Sequence, residues 1–236
     1  MNGRVLVVDD EADIVDVLCF ALESAGYQTR ATGRGDEALV ISREWNPDLV
    51  VLDIGLPGLS GLEVCPRLTA AGIPVLVLSS HDRDDEVVEG LEVGAEDYVT
   101  KPFNHKELLL RIGKIIRRTK AVGARSAEAN DILTAGDITV DLPRREVRVG
   151  GHEVHLTPTE FGIIALLARN PGQPVDVETL LREVWGTADW TNGDEMVKVN
   201  IRRLRKKIEP DPQHPRYLLN RWGQGYLLAD RPSSAE

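Results

Sequence analysis

Residues 4–11 read RVLVVDDE, residues 48–53 read DLVVLD, and residues 74–80 read PVLVLSS. Each is a short, continuous apolar run, and the first two end in acid. Runs of this length without polar alternation are strands buried on both faces. Between them lie helical patterns. Asp13 to Ala25 places Ile14, Val17, Leu18, Ala21 and Leu22 on one face, and Ser60-Gly61-Leu62-Glu63 is a capping box that opens another helix. Further on, Asp84 to Val93 reads as helix and Tyr98 to Thr100 as a short strand. Asn104 to Glu107 is a second capping box, before a helix ending near Arg118. Strands alternating with helices predict an α/β unit with a doubly wound parallel sheet covered on both faces. Functional groups gather at the carboxyl ends of such strands. Asp9, Asp10, Asp53, Ser79 and Lys101 all fall at or just beyond those ends.

The 236 residues allow one or two domains, and a charge asymmetry favours two. The formal net charge is −10. Residues 1–119 hold 21 acidic and 12 basic side chains, and residues 120–236 hold 17 and 16. Net charge by itself argues against nucleic acid. Its distribution does not, because Val197 to Ile208 carries six basic residues and no acidic one. Residues 120–131 (KAVGARSAEAND) are small, polar and aperiodic, and read as a linker. Two cysteines, Cys19 and Cys65, are too few for a disulfide scaffold or a Cys-rich zinc module, and both read as core residues. The apolar stretch at residues 5–8 is too short for a signal peptide, and no segment approaches the ~20 apolar residues of a membrane span. A cytoplasmic location without membrane partners is expected.

After the linker the pattern changes to hairpins and helices over residues 132–230, an α+β arrangement, with a tail at 231–236. Glu146 to Val149 and Glu153 to Leu156 flank Gly150-Gly151 as a hairpin. Thr157-Pro158-Thr159-Glu160 supplies an N-cap, a proline at the first helical position and an acid at the third. Asp176 caps a shorter helix ending near Trp185, and a third helix runs from about Asp194 to Glu209. Tyr217 to Asn220 and Tyr226 to Leu228 form a second hairpin around residues 221–225. In the third helix Val197, Ile201, Leu204 and Ile208 form one buried stripe. The opposite face carries Glu195, Val199, Arg202, Arg203 and Lys206, with Lys198, Asn200, Arg205 and Lys207 on the flanks. A basic helix face suits double-stranded DNA. Arginine binds phosphate or guanine, asparagine binds adenine, and Val199 offers an apolar surface to a thymine methyl. The commoner meaning of a charge run is a solvated face; six cations without an acid weigh against it.

Asp9, Asp10 and Asp53 repel one another in a semi-enclosed site unless a cation joins them. A hard divalent ion, Mg²⁺, fits an all-oxygen set that includes the Gly55 carbonyl. With it, Asp53 is a nucleophile for a phosphoryl group whose oxygens are neutralised by the metal and Lys101, with Ser79 adding a hydroxyl.

VLVVDDE, VLDIGLPGLSG, VLVLSS and GAEDYVTKPF, in this order and spacing, resemble the receiver domain of two-component response regulators over residues 1–119, which implies a five-stranded, flavodoxin-like α/β sheet. The resemblance implies that Asp53 accepts phosphate from a sensor histidine kinase and that Asp9 and Asp10 hold Mg²⁺. It also implies that Ser79 and Lys101 contact the phosphoryl group, that Tyr98 swings inward with Ser79, and that the bond before Pro102 is cis. A symmetric activated homodimer follows, with Glu96–Arg111 and Asp97–Arg118 pairs; Glu107 is free to pair with Arg111 in its own helix. LTPTEFGIIALLARNPG, VWG at 184–186, VNIRRLRKKIE and GYLL resemble the winged-helix effector domain of OmpR/PhoB-type transcription factors, which implies a winged helix-turn-helix α+β domain over residues 132–230. There the third helix reads the major groove of promoter DNA and the wing reaches the minor groove. The loop 186–193, bearing Trp190, matches a segment that contacts RNA polymerase in some relatives. The chain departs from the family at Pro66, Val87, Glu195, Met196 and Lys198, and at the wing. There Trp222 precedes Gly223 and Arg221 stands one place earlier, leaving either side chain to reach the DNA. The expected function is a phosphorylation-activated transcriptional regulator and not an enzyme. An aspartyl-phosphate hydrolase is disfavoured because Gly55 stands where such enzymes carry a second aspartate. A receiver serving only as a dimerisation module remains open.

Overall fold

The computed structural model describes residues 2–79, 93–120, 132–186 and 193–230. The chain divides into two compact units, Met1–Thr119 and Lys120–Glu236.

In the first unit the elements are β1 (Gly3–Val8), α1 (Ala12–Ser24), β2 (Tyr27–Thr32), α2 (Gly35–Trp45), β3 (Leu49–Asp53), α3 (Gly61–Ala70), β4 (Val75–Ser79), β5 (Asp97–Thr100) and α4 (His105–Lys120). The sheet is parallel throughout, in the order β2-β1-β3-β4-β5. The helix expected over 84–93, with Val87, lies outside the described residues. The apolar runs are buried on both faces, as their composition requires. Val5, Val7, Leu49, Val51, Leu76 and Leu78 pack with Leu18 and Leu22 of α1 and with Leu108, Ile112, Ile115 and Ile116 of α4. On the opposite face Leu6, Val50 and Leu52 have no exposure either. Each such leucine contributes about 1.5–3 kcal/mol. Strand β2 is the exposed edge and did not stand out as an apolar run for that reason.

Two local signals are refined. The Ser60 N–H donates to the Glu63 carboxylate at 3.1 Å, as a capping box demands. Asn104 caps α4 through its Oδ1, but the Glu107 carboxylate turns to Arg111, so that second box is half formed. Helix α3 runs through Pro66, whose ring is exposed. Cys65 is fully buried and Cys19 half-buried.

The second unit opens with a four-stranded antiparallel sheet, β6 (Ile132–Ala135), β7 (Ile138–Asp141), β8 (Glu146–Val149) and β9 (His152–Val154), in sequential order. Of these, only the β8–β9 hairpin is legible in the sequence, because Gly150-Gly151 marks its turn. Then come α5 (Pro158–Ala168) and α6 (Val177–Leu180), which widens into a π turn over Leu181–Trp185. Helix α7 (Gly193–Ile208) follows, and then the hairpin β10 (Leu218–Arg221) and β11 (Gly225–Leu228). Thr157 and Glu160 close the expected box at the start of α5. Arg145 ties the sheet to that helix: its guanidinium sits 4.4 Å over the Phe161 ring and donates to the Pro158 carbonyl. The hairpin gains a third partner, because Val175 and Tyr226 exchange backbone bonds of 2.8 and 2.9 Å. Only glycine permits that approach, since a Cβ on Gly225 would stand 2.0 Å from the Val175 carbonyl oxygen.

Candidate functional site

The strand ends of the first unit converge on one ammonium group. β1 delivers Asp9, β3 ends at Asp53, and β5 leads directly into Lys101, whose bond to Pro102 is cis. Lys101 Nζ lies 2.8 Å from Asp9 Oδ2, 2.9 Å from Asp53 Oδ1 and 3.0 Å from Glu11 Oε1. The Asp9 and Asp53 carboxylates are 0% and 6% exposed, so little water screens these pairs. Glu11 was not singled out in the sequence; the third acid of DDE was its only signal.

Backbone donors fix the two aspartates. The Glu11 N–H donates to Asp9 Oδ1 at 3.0 Å and the Gly55 N–H to Asp53 Oδ2 at 2.6 Å. The turn after Asp53 is closed by the start of α3, where the Gly61 N–H donates to the Ile54 carbonyl at 3.1 Å. A Cβ at Gly61 would lie 2.2 Å from the Asp53 carbonyl oxygen. Ser79 is buried at the end of β4, next to Lys101 through a 2.7 Å bond from the Lys101 N–H to its carbonyl. Tyr98 is 7% exposed.

Burial pushes the Asp53 carboxyl up, Lys101 pulls it back, and the neighbouring Asp9 charge adds to the rise; the net direction is upward. For Lys101 burial acts downward, but the bonds to Asp9, Asp53 and Glu11 outweigh it and hold the ammonium charged. Asp10, next to Asp9 in the chain, stands exposed at the rim, and among the described residues no three acids, histidines or cysteines form a metal cage. The remaining pair still suits a dication. Asp9 Oδ2 is buried and, although ion-paired to Lys101, accepts no hydrogen bond of good angle.

The expected dimer residues are placed differently from a surface row. Glu96 and Asp97 are each 1% exposed and Arg111 is 9% exposed. Arg111 Nη1 lies 3.2 and 3.1 Å from the two Asp97 oxygens, and its Nε donates to Glu107 at 3.0 Å. These pairs lie within one chain. The Arg118 side chain lies outside the described residues.

In the second unit the apolar stripe of α7 is as expected, with Val197, Ile201, Leu204 and Ile208 between 0% and 3% exposed. Three residues expected on the DNA face are buried in this structure. Val199 and Asn200 have no exposure, and Arg203 is 6% exposed. Helix α7 packs against both α5 and α6, so more of its circumference is covered than one stripe. The Asn200 amide donates back to the Met196 carbonyl at 2.9 Å. Arg203 Nε lies 3.1 Å from Glu160 Oε1, and Lys207 is paired with Glu160 Oε2 at 2.6 Å. Glu160 is wholly buried and was legible only as a capping residue.

Lys198, Arg202 and Lys206 remain exposed, and Glu195 pairs with Lys198. Arg205 is half-buried and donates to the Leu218 carbonyl at 3.0 Å. These side chains line an open groove of about 660 Å³ whose other wall is formed by Asn220 and Tyr226 of the hairpin. At the hairpin tip Trp222 is 97% exposed and Arg221 is exposed as well. Loop residues 187–192, including Trp190, lie outside the described residues.

Residues 5–113 match the family described as response regulator receiver domain, and residues 151–228 match transcriptional regulatory protein, C terminal. The chain is 40% identical over 227 residues to the DNA-binding response regulator MtrA of Mycolicibacterium smegmatis, covering 96% of each. It is 42% identical over 224 residues to the transcriptional regulatory protein KdpE of Mycobacterium tuberculosis, covering 94% of this chain and 97% of that one. Among solved structures, the response regulator DrrB, an OmpR/PhoB homologue of Thermotoga maritima, is 33% identical with a TM-score of 0.50, covering 97% of this chain and all of that one. A RitR mutant, 23% identical with a TM-score of 0.73 over 95% of this chain and 98% of that one, shares the fold. A parallel sheet with a charged pocket at its strand ends, joined to a winged helix and matched along nearly its whole length, leaves one assignment: the chain belongs to the OmpR/PhoB-type response regulators, the phosphorylation-activated, DNA-binding transcriptional regulators of two-component signalling.

Proposed function

We propose that Asp53 is the phosphoryl acceptor, that a sensor histidine kinase is the donor, and that Mg²⁺ is the cofactor. The observation carrying this reading is the Lys101 ammonium held between the buried carboxylates of Asp9 and Asp53. Asp9, Asp10, Asp53 and the Gly55 carbonyl would hold the metal, which supplies charge neutralisation to the incoming phosphoryl oxygens. Asp53 Oδ1 faces Lys101, so a phosphoryl group on it is met by a fixed cation; Ser79, one residue past the Asp53 level of the sheet, offers a hydroxyl. Phosphorylation takes the Asp53 charge away from Lys101 and places a bulkier, more negative group in the pocket, which biases the receiver between two states. Ser79 and Tyr98 are the residues through which the change passes to β5 and α4.

Activated receivers pair through the β5–α4 side, involving Glu96, Asp97, Arg111 and Arg118. Arg111 has to exchange Asp97 and Glu107 of its own chain for the partner's Glu96. Pairing sets two winged helices on adjacent half-sites and adds their binding. Lys198, Arg202, Arg205 and Lys206 bind promoter DNA along the groove, with Arg221 and Trp222 at the wing tip. Val199, Asn200 and Arg203 support the helix from within in this conformation. A contact of loop 186–193 with RNA polymerase rests on the family resemblance alone. The chain acts as a cytoplasmic switch without catalytic turnover; among the described residues no helix is long and apolar enough to cross a membrane.

The test is incubation with Mg²⁺ and acetyl phosphate followed by intact mass. A single phosphoryl adduct that disappears in Asp53→Asn supports the reading. An adduct that persists in Asp53→Asn, or continuous turnover of the donor, refutes it. Sedimentation of the adduct as a monomer at micromolar concentration refutes the pairing.

A further inference from the structure

A buried carboxylate at the end of helix α7 holds the strand that enters the wing. Glu209 follows directly on α7 and is still in its last turn, its N–H donating to the Arg205 carbonyl at 3.0 Å. The side chain is 8% exposed and accepts three main-chain bonds from the segment that enters β10. The Arg216 N–H reaches Oε2 at 2.7 Å, and the Tyr217 and Leu218 N–H groups reach Oε1 at 2.9 and 2.7 Å. One turn earlier, Arg205 Nε donates to the Leu218 carbonyl. Both backbone polar groups of Leu218 are therefore taken by side chains of the DNA-reading helix. Three convergent N–H groups form a positive nest that a full carboxylate satisfies, and such charge-assisted bonds are about twice as strong as neutral ones. Tyr217 and Leu218 are buried, so without the carboxylate their donors have no water to turn to.

We propose that Glu209 is a positioning residue that locks the wing to α7, so that helix and wing engage DNA as one rigid body. The proposal rests on the reading that α7 and the wing are the DNA-binding face. The wing tip has a lever arm: four strand residues from Leu218 to Trp222 span about 13 Å, so a rotation of about 10° at the anchor displaces the tip by about 2 Å. Trp222 is almost fully exposed, so above the Val175–Tyr226 backbone pair its side chain adds little packing to hold the tip once the anchor loosens. Glu209 thus sets the distance between major-groove and wing contacts without touching DNA.

The test uses the full chain and a DNA duplex enriched from a random-sequence library by the wild-type protein. Affinities are compared for the wild type, Glu209→Ala, Arg221→Ala/Trp222→Ala, and the triple variant. In the wild-type background the wing-tip change is expected to weaken binding about fivefold, and in Glu209→Ala this loss shrinks to within about a factor of 1.5, the non-additivity of groups that act as a unit. Glu209→Gln, which keeps Oε1 as an acceptor, falls between. Additive losses overturn the proposal, and so does a wing-tip change without effect in the wild type. Hydrogen exchange, which needs no DNA, is the second readout. Amides 216–218 and the wing are expected to lose protection in Glu209→Gln while α5 and α7 keep theirs; a uniform loss, or none, overturns the lock. Failure of the selection to enrich any duplex, with the exchange result as expected, overturns the DNA-face reading and leaves the lock standing.

Discussion

Glu160→Ala tests whether a single buried acid holds the DNA-reading helix against α5. The carboxylate is completely buried and serves three partners: the Thr157 N–H at 2.8 Å, Lys207 Nζ at 2.6 Å and Arg203 Nε at 3.1 Å. Their consequences differ. The Lys207 side chain is 34% exposed and can swing into water, so its loss costs little. The Arg203 side chain is 7% exposed and cannot. Breaking a buried pair from one side costs about 3–5 kcal/mol, because the other charge is left uncompensated. The approach of Arg203 to Glu160 Oε1 is that of an ion pair and not of a well-angled hydrogen bond, which favours the low end of that range. Loss of the bond to the Thr157 N–H adds about 1 kcal/mol. The expected cost is then about 3–4 kcal/mol, which lowers the melting point of a domain of this size by roughly 15 °C or more. Calorimetry of the full chain reads this with an internal control, since the receiver transition should not move. Glu160→Met combined with Arg203→Met should recover at least half of the loss, because a buried pair replaced by apolar residues is close to neutral. A drop below about 4 °C for Glu160→Ala, or no recovery in the double variant, refutes the reasoning.

In the receiver, Lys101→Ala leaves the Asp9 and Asp53 carboxylates facing each other without their cation. It should lower receiver stability by about 3 kcal/mol, with millimolar Mg²⁺ restoring more in the variant than in the wild type; melting with and without Mg²⁺ checks this, and equal responses to Mg²⁺ count against it. Gly61→Ala drives a Cβ into the backbone of Asp53 and Ile54 and should cost about 2 kcal/mol or more in urea unfolding; a neutral result means that the turn after Asp53 yields. Because the Asp53 carboxyl is raised above its ordinary value of 3.8, chiefly by burial, the folded state holds this proton more tightly than the unfolded chain. Its contribution is fully present below the ordinary value and is lost as pH rises through the raised one. Asp53→Asn should therefore flatten the receiver's stability profile across that window, and an unchanged slope contradicts the assignment. On DNA, Arg202→Ala and Lys206→Ala should each reduce the slope of log affinity against log salt by about 1, whereas Lys207→Ala should reduce it less because Glu160 holds that ammonium; equal effects at all three positions would show that charge alone matters there.

Much of the fold was legible because its signals are local. Continuous apolar runs ending at Asp9, Asp53 and Ser79 predict a parallel sheet with its chemistry at the strand ends, and that sheet is present. Thr157 and Glu160 announced the start of α5 through spacing alone. Edge strand β2 and the short strands β6 and β7 carried too little apolar pattern to stand out. In the candidate site, the convergence of Lys101 with Asp9 and Asp53 followed from strand order, but the partnership with Glu11 did not.

The sequence by itself determined that the acidic surplus and the basic helix belong to two units, and that α7 has one apolar stripe. Helical periodicity and net charge are properties of neighbouring residues, and neighbours are what a sequence lists. Only the tertiary structure decided which basic residues are available to DNA. Glu160 lies 43 positions from Arg203 and 47 from Lys207, and its one negative charge offsets one of the two cations it holds. Of six cations in a twelve-residue run, Arg203 is buried, Arg205 is turned to the wing and Lys207 is tied to Glu160, which leaves Lys198, Arg202 and Lys206 as the exposed face. A charge becomes a contact or a support according to what the fold brings beside it, because burial, which no local pattern encodes, sets the cost of leaving it unpaired.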